Sequence, residues 1–189
     1  MDTKTEQNKV NETEPVYRPH LRLYHANTKG SGCAVQFELY PAHYSRTGGC
    51  VDGCMMVTFA NQMTIGSRQN GSYSTFDWRG AIVVKLDFAD LTRMLQVLRG
   101  ECESIENGKG LVHVSANGTA SILMKHQLED REGYAISVKR TLRDRTEKKS
   151  YFCLTPYEAL GIMTVIEDSL GLICFGCPAE LCKYTKKVF

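Results

Sequence analysis

AIVVKLDFADLTRMLQVLRG, from Ala81 to Gly100, reads as a short apolar strand running into a capped amphipathic helix, and SYFCLTPYEALGIMTVIEDSLG, from Ser150 to Gly171, reads the same way. In the second stretch Thr155 stands where a helix N-cap is needed, and Pro156 sits at the first helical position, where a missing N–H costs nothing. Glu158 completes a capping box. Asp87 and Asp90 hold the matching places in the first stretch. Laying one over the other pairs Leu86 with Leu154, Leu91 with Ala159, Met94 with Ile162, Leu95 with Met163 and Leu98 with Ile166. Each helix therefore has one apolar face. A strand-helix unit used twice predicts a duplicated fold, each half giving one helix to a shared core.

Around these units the chain alternates as strands do. Val35, Phe37 and Leu39 fall on one face of a strand, and Met55, Val57 and Phe59 on one face of the next, CMMVTFANQMT. The opposite face of that strand, Met56, Thr58, Ala60 and Gln62, is soft and mildly apolar for a surface meeting water. Gly30 and Gly32 in TKGSGC allow a close backbone approach. Beyond Gly100 the strands read LVHVS, ASILMKHQL, GYAISVKRT and SYFCL. The expected fold class is α+β, with two repeats of four antiparallel strands plus a helix and the sheets packed on a helical core. The boundaries expected are a polar, disordered arm over 1–19, one domain over 20–176 with half-repeats 20–104 and 105–176, and a tail over 177–189.

Composition narrows the class of function. The chain has 189 residues, 42% hydrophobic and 23% charged, which suits one globular domain. It has no apolar run long enough to span a membrane, and no basic-then-apolar segment of the secretory kind opens it. A cytoplasmic setting is the expectation, in a bacterial or phage-infected cell because no transit peptide is visible. The net charge of +2 does not by itself announce a nucleic-acid binder. Its distribution says more, because Lys139, Arg140, Arg143, Arg145, Lys148 and Lys149 crowd one predicted hairpin.

Eight cysteines in such a setting read as free thiols or metal ligands. Cys33, Cys102 and Cys153 lie among apolar residues and behave as small hydrophobes. Cys50 and Cys54, with Cys174, Cys177 and Cys182, have the ligand chemistry for zinc, but their spacing fits no common module and no histidine is near. Neither a metal nor any other cofactor is expected. A cysteine enzyme pairing Cys102 or Cys54 with His113 or His25 lacks a legible orienting third group, so catalysis is not expected.

Several motifs recur in one order. Lys29, Gly30, Ser31, Gly32, Cys33 and Ala34 precede an alternating strand; GCMMVTF from Gly53 precedes FDW from Phe76; then come VVKLDFADLTRMLQVL, GKG at Gly108 to Gly110, GYAISVKRTL and YFCLTPYEALG. In this order the chain resembles the Whirly family of single-stranded-DNA-binding proteins, whose KGKAAL, GxxMLTF-like and YDW elements occupy these places. Ser31 stands where the family's element has its second lysine, which removes a cation. The resemblance implies binding of single-stranded DNA across open sheet faces, in a homotetramer with its helices at the centre. It also implies a phosphate contact for Lys29 and a base-pocket role for Trp78.

An unpaired polynucleotide offers phosphates and exposed base faces, so a general binder needs spaced cations and flat apolar platforms. From the residues themselves, Tyr24, Met56, Gln62, Tyr73 and Phe76 are stacking or edge-contact candidates, and Arg79, Lys85, Lys125 and Lys139 are phosphate partners. Oligomerisation has a motive in Leu91, Met94, Leu95, Leu98, Met163 and Ile166, more apolar surface than one thin sheet needs. Single-stranded RNA binding on the same architecture and a peptide-binding module remain open alternatives.

Overall fold

The computed structural model describes residues 19–45, 47–67, 69–127 and 132–177, so the expected arm (to residue 18) and the tail from residue 178, with Cys182, lie outside the described residues. In chain order the strands of the first half are β1 (His20–His25), β2 (Cys33–Tyr40), β3 (His43–Tyr44), β4 (Cys50–Val51), β5 (Cys54–Thr64), β6 (Thr75–Phe76) and β7 (Ile82–Leu86). Helix α1 (Phe88–Leu98) and a single tight turn at Ile105–Gly108 follow. The second half contains β8 (Leu111–Ser115), β9 (Gly118–Gln127), β10 (Gly133–Leu142), β11 (Glu147–Leu154) and helix α2 (Pro156–Phe175).

The first sheet runs β1-β2-β5-β7, all antiparallel, and β6 joins β5 beyond a bulge between Gln62 and Thr64. The second sheet runs β11-β10-β9-β8, again antiparallel, and β3 pairs with β4 as a small separate ladder. Each sheet turns one face inward. Val35, Phe37, Met55, Val57, Phe59, Ile82 and Val84 come from the first, and Ile122, Met124, Ile136, Val138, Phe152 and Leu154 from the second. The period of two that places them there sends their neighbours to the opposite faces. Between the inner faces lie Leu91, Met94, Leu95 and Leu98 of α1 and Ala159, Ile162, Ile166 and Ile173 of α2.

Both helix starts form as the sequence predicts. Asp87 accepts from the backbone N–H of Asp90 at 2.9 Å while the Asp90 carboxylate accepts from the Asp87 N–H at 3.2 Å. Thr155 and Glu158 make the same reciprocal pair at α2. Each box is further tied to the opposite half by a histidine. His25 of β1 pairs with Glu158 at 2.8 Å, and His113 of β8 pairs with Asp90 at 3.1 Å. The duplication thus extends to a crossed pair of braces, one from the first strand of each half to the other half's helix.

One expectation changes, and α2 is longer than the stretch quoted above: it continues past Gly171 through Leu172, Ile173, Cys174 and Phe175 to Gly176, whose φ of 73° breaks the helix. Gly171 lies on the exposed side and costs the helix only propensity, whereas Ile173 beyond it is buried and holds the last turn down. The apolar residues credited with driving oligomerisation are also committed elsewhere. Leu91, Met94, Leu95, Leu98 and Ile166 are buried in this chain's own core and Met163 packs against it, because the second sheet covers what the first leaves open. What α2 shows to the outside is Tyr157, Leu160 and Phe175.

Candidate nucleic-acid interface

The outer face of the first sheet is set by register. Tyr24, Ala34 and Ala60 form one row, Arg22, Gln36, Thr58 and Val83 the next, and His20, Glu38, Met56 and Lys85 a third. Ala34 and Ala60 are fully buried, so small side chains there let aromatic residues settle onto the sheet. That is where Tyr24, Phe76 and Trp78 meet. Tyr24 lies 5.5 Å from Phe76, tilted, and 6.3 Å from Trp78, edge-on. The Arg22 guanidinium stands 4.9 Å from the centre of the Trp78 ring, within cation–π range, and its Nε also donates to Gln36. Tyr24 is half exposed and Phe76 and Trp78 are partly covered, so the cluster is a rigid platform with an open side.

Lys29 is exposed on the loop joining β1 to β2. The Asn27 side chain shapes that loop, its Oδ1 accepting from the N–H of Lys29 at 3.0 Å and of Ser31 at 3.1 Å. Beside the loop a groove of about 720 Å³ opens between Gly30, Ser31 and Gly32 on one wall and the outer face of the second sheet on the other. Lys109, Lys139, Lys149 and Tyr151 line it, with Ser121, Leu123 and Ser137 on its floor and Asn61 at its edge. Lys139 is ion-paired with Glu147, and Lys149 lies 3.4 Å from the same carboxylate. The hydrogen bond from Lys139, with its charge and the hydrogen bond and charge of Lys149, holds the Glu147 carboxyl below its ordinary value against the opposing effect of burial. One carboxylate thus faces two of the groove's three lysines.

Groove and platform meet where the sheets join. Asn61 Nδ2 donates to the Lys149 carbonyl at 3.0 Å, Ser150 Oγ donates to Asn61, and Lys148 Nζ donates to the Gly80 carbonyl at 2.9 Å, just past Trp78.

The remaining expected residues are scattered. Met56 and Lys85 sit together at the far end of the first sheet, in a smaller pocket with Arg140 and His113. Lys125 is exposed on the second sheet's outer face, four positions along β9 from the groove's Ser121. Tyr73 is 90% exposed, one position past the Ser67–Ser72 bridge. Arg79 is exposed in the bend after β6. Gln62 is buried at 9% exposure, its amide engaged by backbone groups, and so is not presented as an edge contact. Arg22, Lys109 and Tyr151 were not singled out from the sequence, and Lys149 was noted there only as one of the basic residues crowding a hairpin. Arg22 and Tyr151 were within reach of alternation, two positions from Tyr24 and Lys149 on the same strand faces.

Among the described residues the cysteines and histidines do not assemble into a reactive group. Burial pushes the Cys33 thiol up, opposed by hydrogen bonds from Ser150 and Ala60, and burial likewise raises Cys54 against the nearby Lys85. Thiols held protonated are poor nucleophiles and poor ligands. His25 stacks on Phe152 at 4.3 Å, and both His25 and His113 pair with helix-cap carboxylates. Among the described residues no group of three or more His, Cys, Asp or Glu is placed to hold a metal ion. Among them, too, no helix is long and apolar enough to cross a membrane.

The sequence matches no protein-family model and no curated protein. Solved structures do match it along nearly its whole length. Arabidopsis thaliana WHY1 aligns at 14% identity and a TM-score of 0.65, covering 93% of this chain and 94% of that one. Arabidopsis thaliana WHY3 aligns at 12% identity and 0.64, covering 92% and 97%. The plant transcriptional regulator PBF-2 aligns at 14% identity and 0.62, covering 92% and 87%. Two antiparallel sheets closed over a pair of helices, in the order described above, are the architecture these matches share with it: the chain has a Whirly-like α+β fold.

Proposed function

We propose that this protein binds single-stranded DNA with little regard to sequence, across the outer faces of its two sheets. The observation that carries the reading is the adjacency of two unlike surfaces. An aromatic platform of Tyr24, Phe76 and Trp78 under Arg22 lies on one sheet, and a groove carrying Lys109, Lys139 and Lys149 lies across the Lys29 loop on the other. Stacking on aromatic rings tolerates any base, and lysines follow a backbone of any sequence. Duplex DNA hides its base faces, so a platform of this kind favours the unpaired strand. The fold shared with WHY1 and WHY3 supports the same reading.

A homotetramer completes the proposal. Tyr157, Leu160 and Phe175 on the outer side of α2 give neighbouring copies an apolar surface to bury. Roles in replication, recombination or repair fit a binder that protects unpaired strands. Competition of oligo-dT, oligo-U and duplex DNA for the purified protein tests the reading. Preference for oligo-dT over duplex is expected; equal or better binding of oligo-U moves the assignment to RNA, and indifference to all three ends it.

A further inference from the structure

Gln62 is buried beneath the proposed binding surface, yet every hydrogen-bonding capacity of its amide is used. Its Oε1 accepts from the backbone N–H of Asn27 at 2.9 Å and of Gly32 at 3.1 Å. Its Nε2 donates to the carbonyls of Asn27 and Thr64, both at 3.0 Å, and approaches the Ser74 hydroxyl at 3.5 Å. Three segments therefore close on one side chain. They are the loop that presents Lys29, the bulged end of β5, and the hairpin leading into Phe76 and Trp78. Gln62 is itself the cross-strand partner of Phe76, and the next backbone link, Asp77 N–H to the Asn61 carbonyl at 2.9 Å, runs towards Trp78.

Gly32 is an independent sign that this contact fixes the loop. A Cβ there would fall 2.3 Å from Gln62 Oε1 and 2.2 Å from the His25 carbonyl oxygen, so the loop lies on the amide as closely as a backbone can. The Asn27 side chain then holds the N–H groups of Lys29 and Ser31, which fixes the direction in which the loop presents Lys29.

We propose that Gln62 is a positioning residue that couples the Lys29 loop to the aromatic strand Thr75–Trp78, so that the phosphate-facing and base-facing parts of the surface hold a single geometry. The coupling is a property of the free protein; only its effect on binding rests on the single-strand reading above. Gln62→Met keeps the length of the side chain and removes all of these hydrogen bonds. Gly32→Ala displaces the loop without removing a polar group.

Trp78 is the sole tryptophan, so its quenching by acrylamide reads the aromatic strand directly, without ligand. Quenching of Trp78 is expected to rise in Gln62→Met and also in Gly32→Ala, whose site is on the other segment. The combined variant should show no more than Gln62→Met alone. With oligo-dT, Gln62→Met should lower the salt slope of binding by about 0.7, as Lys29→Ala does, and adding Lys29→Ala should lower it no further. A loss of folding by Gln62→Met moves the test to Gln62→Glu, which keeps the acceptors and reverses the donors. Trp78 quenching unmoved by Gly32→Ala, additive quenching, or a full Lys29→Ala effect in the Gln62→Met background overturns the proposal. Should the wild type not bind oligo-dT at all, the single-strand reading fails, while the quenching comparison still decides the coupling.

Discussion

Trp78 stands edge-on to Tyr24 and beneath the Arg22 guanidinium, and in the proposed complex its ring stacks a base. Base stacking on an aromatic side chain contributes about 1–3 kcal/mol, so Trp78→Ala should weaken oligo-dT binding by roughly one to two orders of magnitude and leave the circular dichroism unchanged. Affinity within a factor of two of wild type would remove Trp78 from the site. Lys29 supplies charge rather than stacking, and Lys29→Ala should lower the salt slope of binding by about 0.7 with a smaller change in affinity at low salt. An unaltered slope would make the loop a structural turn. At this scale the sequence was partly legible. Strand alternation puts Tyr24 on an outer face and FDW follows the next strand, but alternation carried across Gln62 misleads. The glycine loop and the segment beyond the bulge between Gln62 and Thr64 close over the amide, and neither is encoded by a period of two.

Helix caps belong to the next scale, and they were the most legible feature of all, because a capping box needs only residues close in sequence. Thr155→Ala removes the hydroxyl that caps α2 and should cost about 1 kcal/mol in urea unfolding. The histidine braces on those caps were not legible, since His25 and Glu158 lie 133 positions apart and only the closed fold brings them together. At Glu158 burial pushes the carboxyl up, but hydrogen bonds from the Thr155 backbone, His25 and the Thr155 hydroxyl outweigh it and hold the group below its ordinary value of 4.5. A carboxyl lowered on folding stabilises the native state above its unfolded pKa, and that contribution is lost as pH falls through the lower folded value. Melting temperatures of wild type and Glu158→Gln should therefore differ while the carboxyl is ionised and converge as it protonates in acid. A difference that persists below the carboxyl's range would contradict the brace.

For the whole molecule the strand-helix duplication gave the sheets, the helices and their order, because each half repeats one hydrophobic pattern and the core needs both. It did not reveal how the halves meet. The Asn61 to Lys149 and Lys148 to Gly80 hydrogen bonds, which set groove beside platform, are long-range contacts between polar residues that look like ordinary surface positions in one dimension. The duplication did separate Met163, laid over Leu95 and packed on the core, from Leu160, which falls opposite Thr92 and stays outside. If α2 is the assembly surface, Leu160→Glu should lower the solution mass to that of smaller species while each copy stays folded. A wild-type chain that is already a monomer at micromolar concentration would remove the tetramer from the account. The central claim, that an unpaired strand lies on the outer sheet faces, is tested most directly by titrating oligo-dT while following Trp78 fluorescence. Saturable quenching, reversed by salt and absent with duplex DNA, is the predicted result; emission unmoved while oligo-dT binds, or no binding, would contradict it.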